Sequence, residues 1–354
     1  MQKEFLTGNE AIVKGVLACG GQMLTGYPIT PTTEIIHYWA EAQINPPAGG
    51  PKLKFLQTED EMSAGFAMIG GVLAGQKAFS ATAGPGNVLM QDAFSMAENL
   101  RLPTVAFINQ RGGPSTGTVI YSQQELNLTC FGGNGEGLRI VYSASSVQEM
   151  YDFAIKAFNT AWKYRFPTFV LSDGYSAKTS IEIETYSPEE KNIEIIPAEA
   201  YLLKDETDPS VNLRNCYNLE TELNKIIIDS KTAFDAIKPE ISESENYKTE
   251  DAEIIICAHG IVGAAGRLAV DKLRSEGILA GLFRPITLNP FPTETANQVL
   301  TNKKMVLVAE SSLGQLERLL KSHIYGLQTK IETLQKPAEG ISVEEIVNRV
   351  KEVM

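Results

Sequence analysis

The sequence predicts an α/β protein with two parallel-sheet domains separated by a polar segment. Apolar, β-rich runs alternate with helical patterns over residues 1–180, and the same alternation resumes at residue 251. Between these blocks, residues 181–250 are dominated by charged and polar side chains and are interrupted by prolines. We therefore expect domains at 1–180 and 251–354, joined by an excursion at 181–250 that carries one helix at about 218–237.

The first block contains the elements of a doubly wound parallel sheet. A helical pattern over residues 8–19 leads to a short run that ends at Gly26, and a second helix begins near Thr32. Hydroxyl groups and an acid at residues 32–34 are typical of a helix N-terminus. The later elements predicted in this block are a strand at 54–57, a helix at 61–74, a strand at 78–82, a helix ending near Asn99, and strands at 104–109 and 168–172.

The second block repeats the alternation on a smaller scale. An apolar strand begins at Glu253, a helix follows over residues 264–276, and another strand covers residues 280–284. A proline-containing turn at 289–292 precedes a further helix and a strand at 304–310. This order of elements predicts a smaller α/β domain.

The composition excludes several classes of function. The formal net charge is −12 and no run or stripe of basic residues is present, so nucleic acid is not an expected partner. The first residues lack the basic and then apolar pattern of a signal peptide. No apolar stretch approaches the ~20 residues that a membrane helix needs. We expect a cytoplasmic protein without a membrane partner.

Cysteine and histidine are too scattered to predict a metal site. Iron–sulfur clusters and structural zinc need thiolates in tight local sets, and no CxxC pair is present. The histidines are also far apart in the sequence, so each is interpreted as structural. The cysteines are Cys19, Cys130, Cys216 and Cys257, and the histidines are His37, His259 and His323.

The most informative motif is the run GYPITPTTE at residues 26–34. Pro28 and Pro31 stiffen the backbone on either side of Thr30 and disfavour helix there. The result should be a rigid loop at the carboxyl end of a strand, which is where ligands bind in open α/β sheets. The alternative interpretation is a proline-stiffened turn capped by Thr32.

Three consecutive acids, Glu59, Asp60 and Glu61, open the next predicted helix. Acids in a first helical turn commonly do no more than interact with the helix dipole. This helix, however, is apolar nearly all round, which predicts burial, and a buried carboxylate usually has a function. Spacing alone does not choose between Glu59 and Glu61.

A third motif, NQRGGPSTG at residues 109–117, directly follows a buried strand. Arg111 at a strand end is well placed to bind a carboxylate or phosphate with two hydrogen bonds. The alternative is an ion pair between Arg111 and one of the acids at 59–61. A weaker glycine turn, TAGPG at 82–86, matches neither a P-loop nor GxGxxG.

In this order, the motifs resemble the α subunit of the 2-oxoacid:ferredoxin oxidoreductases, the family of pyruvate, 2-oxoglutarate and branched-chain 2-oxoacid enzymes. The resemblance rests on YPITP (27–31), EDE (59–61), TAGPG (82–86) and RGGPSTG (111–117), with RP (284–285), NPFP (289–292) and ESSLGQL (310–316) in the second block. It covers nearly the whole chain except residues 181–250. It implies that the first domain is a thiamine diphosphate pyrimidine-binding doubly wound sheet and the second a transketolase C-terminal-like domain.

The resemblance also assigns roles to individual residues. Glu61, chosen by its spacing from Ala64 and Gly65, matches the catalytic glutamate that hydrogen-bonds N1′ of the cofactor's aminopyrimidine. Thr30 and Arg111 match the groups that hold the substrate carboxylate. The cofactor-binding residues carried over with Glu61 are Pro28, Ile29 and Gly84. No metal ligand is assigned to this chain.

The implied activity is an oxidoreductase reaction that needs further subunits. It is the coenzyme A-dependent oxidative decarboxylation of a 2-oxoacid, with electrons passed through iron–sulfur clusters to ferredoxin. The sequence has no GDG motif followed by paired asparagines, the usual site for diphosphate and Mg²⁺. The resemblance therefore implies a β subunit that binds diphosphate, Mg²⁺ and a 4Fe–4S cluster, a γ subunit, and a ferredoxin-like δ subunit with further clusters.

One residue departs from the family pattern, and three other functions are alternatives to the one that the resemblance implies. Ile120 occupies a place where 2-oxoglutarate-type relatives often have threonine, which favours pyruvate or another apolar 2-oxoacid. The alternatives are a non-catalytic scaffold subunit, a dinucleotide-binding module, and a subunit of another thiamine-dependent transketolase or dehydrogenase. The dinucleotide alternative lacks GxGxxG.

Overall fold

The computed structural model describes residues 1–46, 50–199 and 213–354. In these residues the strands are β1 (Gln2–Thr7), β2 (Met23–Gly26), β3 (Lys54–Gln57), β4 (Ala78–Thr82), β5 (Val105–Gln110), β6 (Ile140–Ser143), β7 (Thr168–Asp173), β8 (Ser180–Thr185), β9 (Ser244–Tyr247), β10 (Ile254–Cys257), β11 (Ala280–Pro285), β12 (Thr287–Asn289), β13 (Met305–Glu310) and β14 (Lys330–Gln335).

The helices surround these strands. They are α1 (Gly8–Ala18), α2 (Thr33–Ile44), α3 (Glu61–Leu73), α4 (Pro85–Leu89), α5 (Gln91–Asn99), α6 (Leu126–Phe131), α7 (Val147–Tyr164), α8 (Gly174–Lys178), α9 (Glu220–Ile241), α10 (Gly260–Ser275), α11 (Thr293–Leu300), α12 (Gln315–His323) and α13 (Val343–Val353), with a 3₁₀ helix at Pro188–Lys191. Within the described ranges, no helix combines the length and apolar character needed to cross a membrane.

The larger sheet has the strand order β12-β6-β7-β5-β4-β2-β3. All neighbouring pairs are parallel except β12 with β6, so the predicted parallel sheet is confirmed. After β2 the chain adds β3 on one side and then returns to add β4 on the other side. The loops that follow β2 and β4 therefore diverge at the carboxyl edge of the sheet, which is the usual place for a ligand in this architecture.

The second sheet has the order β14-β13-β10-β11-β9. β10, β11, β13 and β14 pair in parallel, as predicted for a second α/β block, and β9 adds an antiparallel edge. β9 comes from the polar segment, as does α9, where a helix was predicted at 218–237. The segment at 181–250 therefore contributes to the packed structure. Pro209, one of the prolines of this segment, lies outside the described residues. The boundaries at 180 and 251 stay a prediction.

A buried arginine links the smaller sheet to the start of α7. Arg284 of β11 donates from Nη2 to Glu149 Oε1 (2.6 Å) at the start of α7, and from Nε to Glu245 Oε2 (2.8 Å) of β9. Only 4% of the Arg284 side chain is exposed, whereas both carboxylates are partly exposed. Removing the guanidinium would leave the partly buried Glu149 carboxylate without its ion-pair partner, whereas Glu245 would keep Arg267.

We expect Arg284→Met to lower the free energy of unfolding by about 2–3 kcal/mol, because breaking a buried ion pair on one side costs more than the pair contributes. Arg267, half exposed and also paired with Glu245, provides the control. Arg267→Met should change stability little, because exposed pairs contribute little. Urea unfolding of both variants measures the difference. Equal midpoints for the two variants would contradict a bridging role for Arg284.

Candidate active site

The loop after β2 forms one wall of the candidate site. Residues 27–32 are neither helix nor strand, and the Ile29 side chain is buried while Thr30 is half-buried. Thr32 occupies the N-cap position of α2, but its hydroxyl donates to the Ile29 carbonyl (2.8 Å) instead of capping the helix. A side-chain cap of α2 by Thr32 is therefore not observed. The hydroxyl tightens the proline loop itself.

A buried chain of amides anchors this loop to the sheet. Asn9 Nδ2 donates to the Pro31 carbonyl (2.9 Å), and Asn109 Nδ2 of β5 donates to Asn9 Oδ1 (2.8 Å). The Ser172 hydroxyl of β7 donates to Asn109 Oδ1. Buried polar groups of this kind fix geometry when all are paired. Asn9 and Ser172 were not predicted as part of the site, because each is distant in sequence from the loop.

The structure separates the three acids at the start of α3. Glu59 is exposed, and Asp60 is the N-cap, where its carboxylate accepts from the Ser63 N–H (2.7 Å) and has its pKa lowered by that bond. Glu61 is buried, with 6% of its surface exposed. Burial raises the pKa of the Glu61 carboxyl, the charge of Asp60 adds to the rise, and Arg111 opposes it. Of the three acids, Glu61 is the buried one, and its carboxyl has a raised pKa.

Arg111 lies in the same site, 5% exposed. Its Nη1 donates to the Thr30 carbonyl (2.8 Å), which brings the loops after β2 and β5 together. Nε is buried and has no hydrogen-bond partner in the described ranges. No carboxylate of those ranges lies within ion-pair distance of the guanidinium. The alternative of an ion pair with the acids at 59–61 is not observed.

The glycine turn after β4 brings the acid and the guanidinium together. Gly84 has φ +53°, a left-handed conformation that favours glycine, and a Cβ there would lie 2.7 Å from Arg111 Nε. A Cβ at Gly86 would lie 2.6 Å from Glu61 Oε1 and 2.1 Å from Thr82 Oγ1. The Arg111 and Glu61 side chains thus pack against Gly84 and Gly86, where a Cβ would meet them. This turn had been expected to contribute little.

The histidines lie apart from this site. His259 is buried, its Nδ1 is within hydrogen-bond distance of the Ser143 hydroxyl (2.9 Å), and burial lowers its pKa to about 3. His323 stacks on Phe291, and its Nδ1 is 2.8 Å from the Thr293 hydroxyl. His37 is exposed. Residues 1–46, 50–199 and 213–354 contain no group of three histidine, cysteine or acidic side chains that could hold a metal ion.

A doubly wound sheet followed by a second α/β domain is also the arrangement of a transketolase fold. A split-gene transketolase shares this fold with a TM-score of 0.61 over 99% of this chain and 98% of that chain, at 13% identity. The chain belongs to the 2-oxoacid:ferredoxin oxidoreductase family. Residues 14–256 match the family "Pyruvate flavodoxin/ferredoxin oxidoreductase, thiamine diP-bdg", and residues 252–346 match "Pyruvate:ferredoxin oxidoreductase core domain II".

Two relatives align over most of their length. Ketoisovalerate oxidoreductase subunit VorB of Methanothermobacter marburgensis is 33% identical over 91% of this chain and 90% of its own length. 2-Oxoglutarate synthase subunit KorA of Methanocaldococcus jannaschii is 37% identical over 89% of this chain and 90% of its own length. These matches confirm the predicted family.

A solved structure gives the same result. The 2-oxoglutarate:ferredoxin oxidoreductase from Magnetococcus marinus, with 2-oxoglutarate, coenzyme A and succinyl-CoA bound, has a TM-score of 0.87 and 27% identity over 99% of this chain. The present chain spans 65% of the length of that chain. The predicted fold class, a thiamine diphosphate-binding domain with a second transketolase-like α/β domain, is confirmed.

Proposed function

We propose that this chain is the α subunit of a 2-oxoacid:ferredoxin oxidoreductase. The complex would oxidise a 2-oxoacid and coenzyme A to acyl-CoA and CO₂ and pass the electrons to ferredoxin. The observation that carries the proposal is the meeting of Glu61 and Arg111 at the Gly84–Gly86 turn. This arrangement places one group for proton chemistry beside one group for holding an anion, in a site shielded from solvent.

The residues present fit thiamine diphosphate. The Glu61 carboxyl is buried beside the turn and forms no ion pair with a basic residue of the described ranges, while the Thr82 hydroxyl and Arg111 Nε are buried without hydrogen-bond partners. When bound, this cofactor supplies the carbon nucleophile that attacks the 2-oxo group. Glu61 would hold a proton between its carboxyl and N1′ of the aminopyrimidine. We propose Pro28, Ile29 and Gly84 as backbone and apolar contacts.

Arg111 and Thr30 would hold the substrate carboxylate. The unpaired Nε is a donor that an anion could accept, and the half-buried Thr30 lies within reach because Arg111 already contacts its carbonyl. A carboxylate that leaves as CO₂ must be held in one orientation until its bond breaks. The relatives named above act on ketoisovalerate and 2-oxoglutarate, so they do not decide the substrate tail. Ile120 is exposed, and the preference for an apolar tail stays a prediction.

Exposed apolar side chains lie on the same loops and helices as the site residues, which supports a partner subunit there. We call it the apolar rim; its members are Tyr27, Leu56, Met62, Phe66, Val88 and Leu89. Phe66 and Met62 lie on the outer face of α3, with 38% and 43% of their surfaces exposed. The expected burial of α3 on all sides is therefore incomplete within this chain. Contiguous exposed apolar side chains commonly mark an interface with another protein.

The proposed occupant of the apolar rim is a β subunit that binds diphosphate, Mg²⁺ and a 4Fe–4S cluster. The four cysteines of this chain are free, and three of them are buried, so cluster ligation on partner chains suits the chemistry. A γ subunit and a ferredoxin-like δ subunit complete the proposed complex. The proposed location is the cytoplasm, where cysteines stay reduced.

Phe66→Asp should prevent assembly with the β subunit, because it places a charge in the centre of the apolar rim. Phe5→Asp provides the matched control, since Phe5 is 73% exposed on β1, outside the apolar rim. Co-purification of tagged α with untagged β measures assembly. We expect loss of β with the Phe66 variant and retention with the Phe5 variant. Retention of β by a folded Phe66 variant would place the interface elsewhere.

Purification of the complex through a tag on this chain tests the proposed function. The assay is coenzyme A-dependent reduction of viologen with pyruvate, branched-chain 2-oxoacids and 2-oxoglutarate. We expect reduction with at least one of them and none without coenzyme A. A cluster-bearing complex that is inactive with the whole panel would favour the scaffold alternative. Electron transfer to lipoamide instead of viologen would favour another thiamine-dependent dehydrogenase.

A further inference from the structure

A second buried carboxylate, Glu125, lies directly behind the site, and the roles proposed so far do not use it. Glu125 precedes α6 and is 4% exposed. We propose that Glu125 is a positioning residue that holds Arg111 and the Gly84 turn in a single arrangement. This inference rests on the proposed function, because Arg111 and Gly84 are the substrate and cofactor contacts assigned there.

The contacts of Glu125 join the two loops through one oxygen. Glu125 Oε1 accepts the backbone N–H of Gly84 (2.8 Å) and the backbone N–H of Arg111 (3.0 Å). The loops after β4 and β5 therefore share a single acceptor at the point where each leaves the sheet. Since the Arg111 side chain also packs against Gly84, a shift of either backbone would move the guanidinium relative to the turn.

The other oxygen is fixed by the amide of Asn87. Asn87 Nδ2 donates to Glu125 Oε2 (3.0 Å) and to Thr129 Oγ1 (3.1 Å). Asn87 Oδ1 accepts from Gln91 Nε2 (2.9 Å), so the amide of Asn87 cannot be turned round without breaking that bond. Three donors thus point at the Glu125 side chain, and each requires an oxygen.

These contacts use both oxygens of the Glu125 carboxyl group as acceptors, since all three are with N–H donors. Burial raises the pKa of Glu125, while the same three hydrogen bonds and the Arg111 guanidinium act in the opposite direction. The Glu125 carboxyl therefore lies close to the cationic side chain that it helps to place.

Glutamine at this position keeps the shape but cannot satisfy all three donors. If its oxygen faces Gly84 and Arg111, its NH₂ faces the NH₂ of Asn87, and the reverse orientation leaves both backbone groups unpaired. An unpaired buried donor carries a free-energy cost that a shift of the loop would relieve. Misplacing a substrate-holding group by about 1 Å can cost ~10²-fold in rate.

Glu125→Gln in the purified complex tests the proposal. We expect kcat/KM for the 2-oxoacid to fall about 10- to 100-fold, through both KM and kcat, while KM for coenzyme A stays unchanged. The matched control is Glu98→Gln, since Glu98 is also buried but binds Arg139 Nη2 and the Glu136 N–H instead of the site. That variant should lose stability and keep kcat/KM. A Glu125→Asp variant, which retains the charge, should recover part of the loss.

Combining Glu125→Gln with Arg111→Lys distinguishes positioning from general damage. If Glu125 acts through Arg111, the double variant should lose little more than Arg111→Lys alone, whereas independent effects would multiply. Unchanged kcat/KM in Glu125→Gln, or an equal loss in Glu98→Gln, would overturn the proposal. If the glutamine variant does not assemble, an assembled Glu125→Asp variant with wild-type KM and kcat overturns it equally. Wild-type activity is measured in parallel, so failure of the proposed function is recognised separately.

Discussion

Replacing Glu61 by glutamine is expected to slow 2-oxoacid oxidation by about 10²–10⁴-fold while the complex still assembles. Glutamine matches glutamate in shape and fits the same space beside Gly86, but it cannot exchange a proton with N1′ of the aminopyrimidine. Burial raises the pKa of Glu61, so the carboxyl is suited to sharing a proton there. Initial rates of viologen reduction, at cofactor and substrate saturation, give the size of the loss.

Glu59→Gln is the matched control for this prediction. Glu59 is two residues away but exposed, so its variant should retain wild-type turnover. Assembly of both variants is checked by co-purification of the partner subunits. A Glu61→Gln complex with near-normal turnover would reject the catalytic role of this acid. A loss of equal size at Glu59 would indicate that the negative charge of the segment matters more than the buried carboxyl.

Arg111→Ala is expected to reduce kcat/KM for the 2-oxoacid by about 10²-fold or more. The guanidinium is proposed to donate to the substrate carboxylate, and hydrogen bonds to charged groups contribute about 1.5–3 kcal/mol each. Both KM and kcat should change, because the same contact binds the substrate and orients the bond that breaks. KM for coenzyme A should stay constant. Steady-state kinetics over a range of 2-oxoacid concentrations separates these parameters.

Arg111→Lys refines the Arg111 prediction. Lysine keeps the positive charge but not the planar fork, and its ammonium cannot reproduce contacts with both the Thr30 carbonyl and a carboxylate in the same way. We expect activity between that of the wild type and that of the alanine variant. An unchanged kcat/KM in Arg111→Ala would exclude the substrate contact and leave Arg111 as a link between two loops.

The sequence was sufficient to predict which loops form the site but not how they are held. Motifs at the ends of β2, β4 and β5 are local in sequence, and parallel pairing brings their ends to one edge. The choice between Glu59 and Glu61 needed the family resemblance, because both lie at the start of the same helix. Glu125 and Asn9 were missed, since their partners are distant in sequence and hydrogen-bond pairing leaves no periodic signal.

Two local expectations failed for identifiable physical reasons. Thr32 was expected to cap α2, but the proline loop offers the Ile29 carbonyl as a nearer acceptor for its hydroxyl. α3 was expected to be buried on all sides because its composition is apolar, yet Phe66 and Met62 face outwards. The apolar composition of a helix indicates how much of its surface favours burial. It does not say whether the atoms that bury this surface belong to the same chain.

Several elements had no counterpart in the sequence analysis. β12 is only three residues long, lies within the second block, and pairs antiparallel with β6 of the first sheet. β1 and β8 pair with each other across nearly the whole first block. β12 gives too few residues for an alternating pattern, and the pairing of β1 with β8 is set by the folded topology.

The crossing of β12 has a consequence for how this polypeptide could be divided. Cutting the chain near residue 251, where the composition changes, would separate β12 from β6. The hydrophobic strand β6 would then form the edge of the sheet, with backbone amide and carbonyl groups that lack hydrogen-bond partners. Bare edges of that kind recruit other strands and promote aggregation. The first block expressed alone would therefore need a substitute for β12 at this edge.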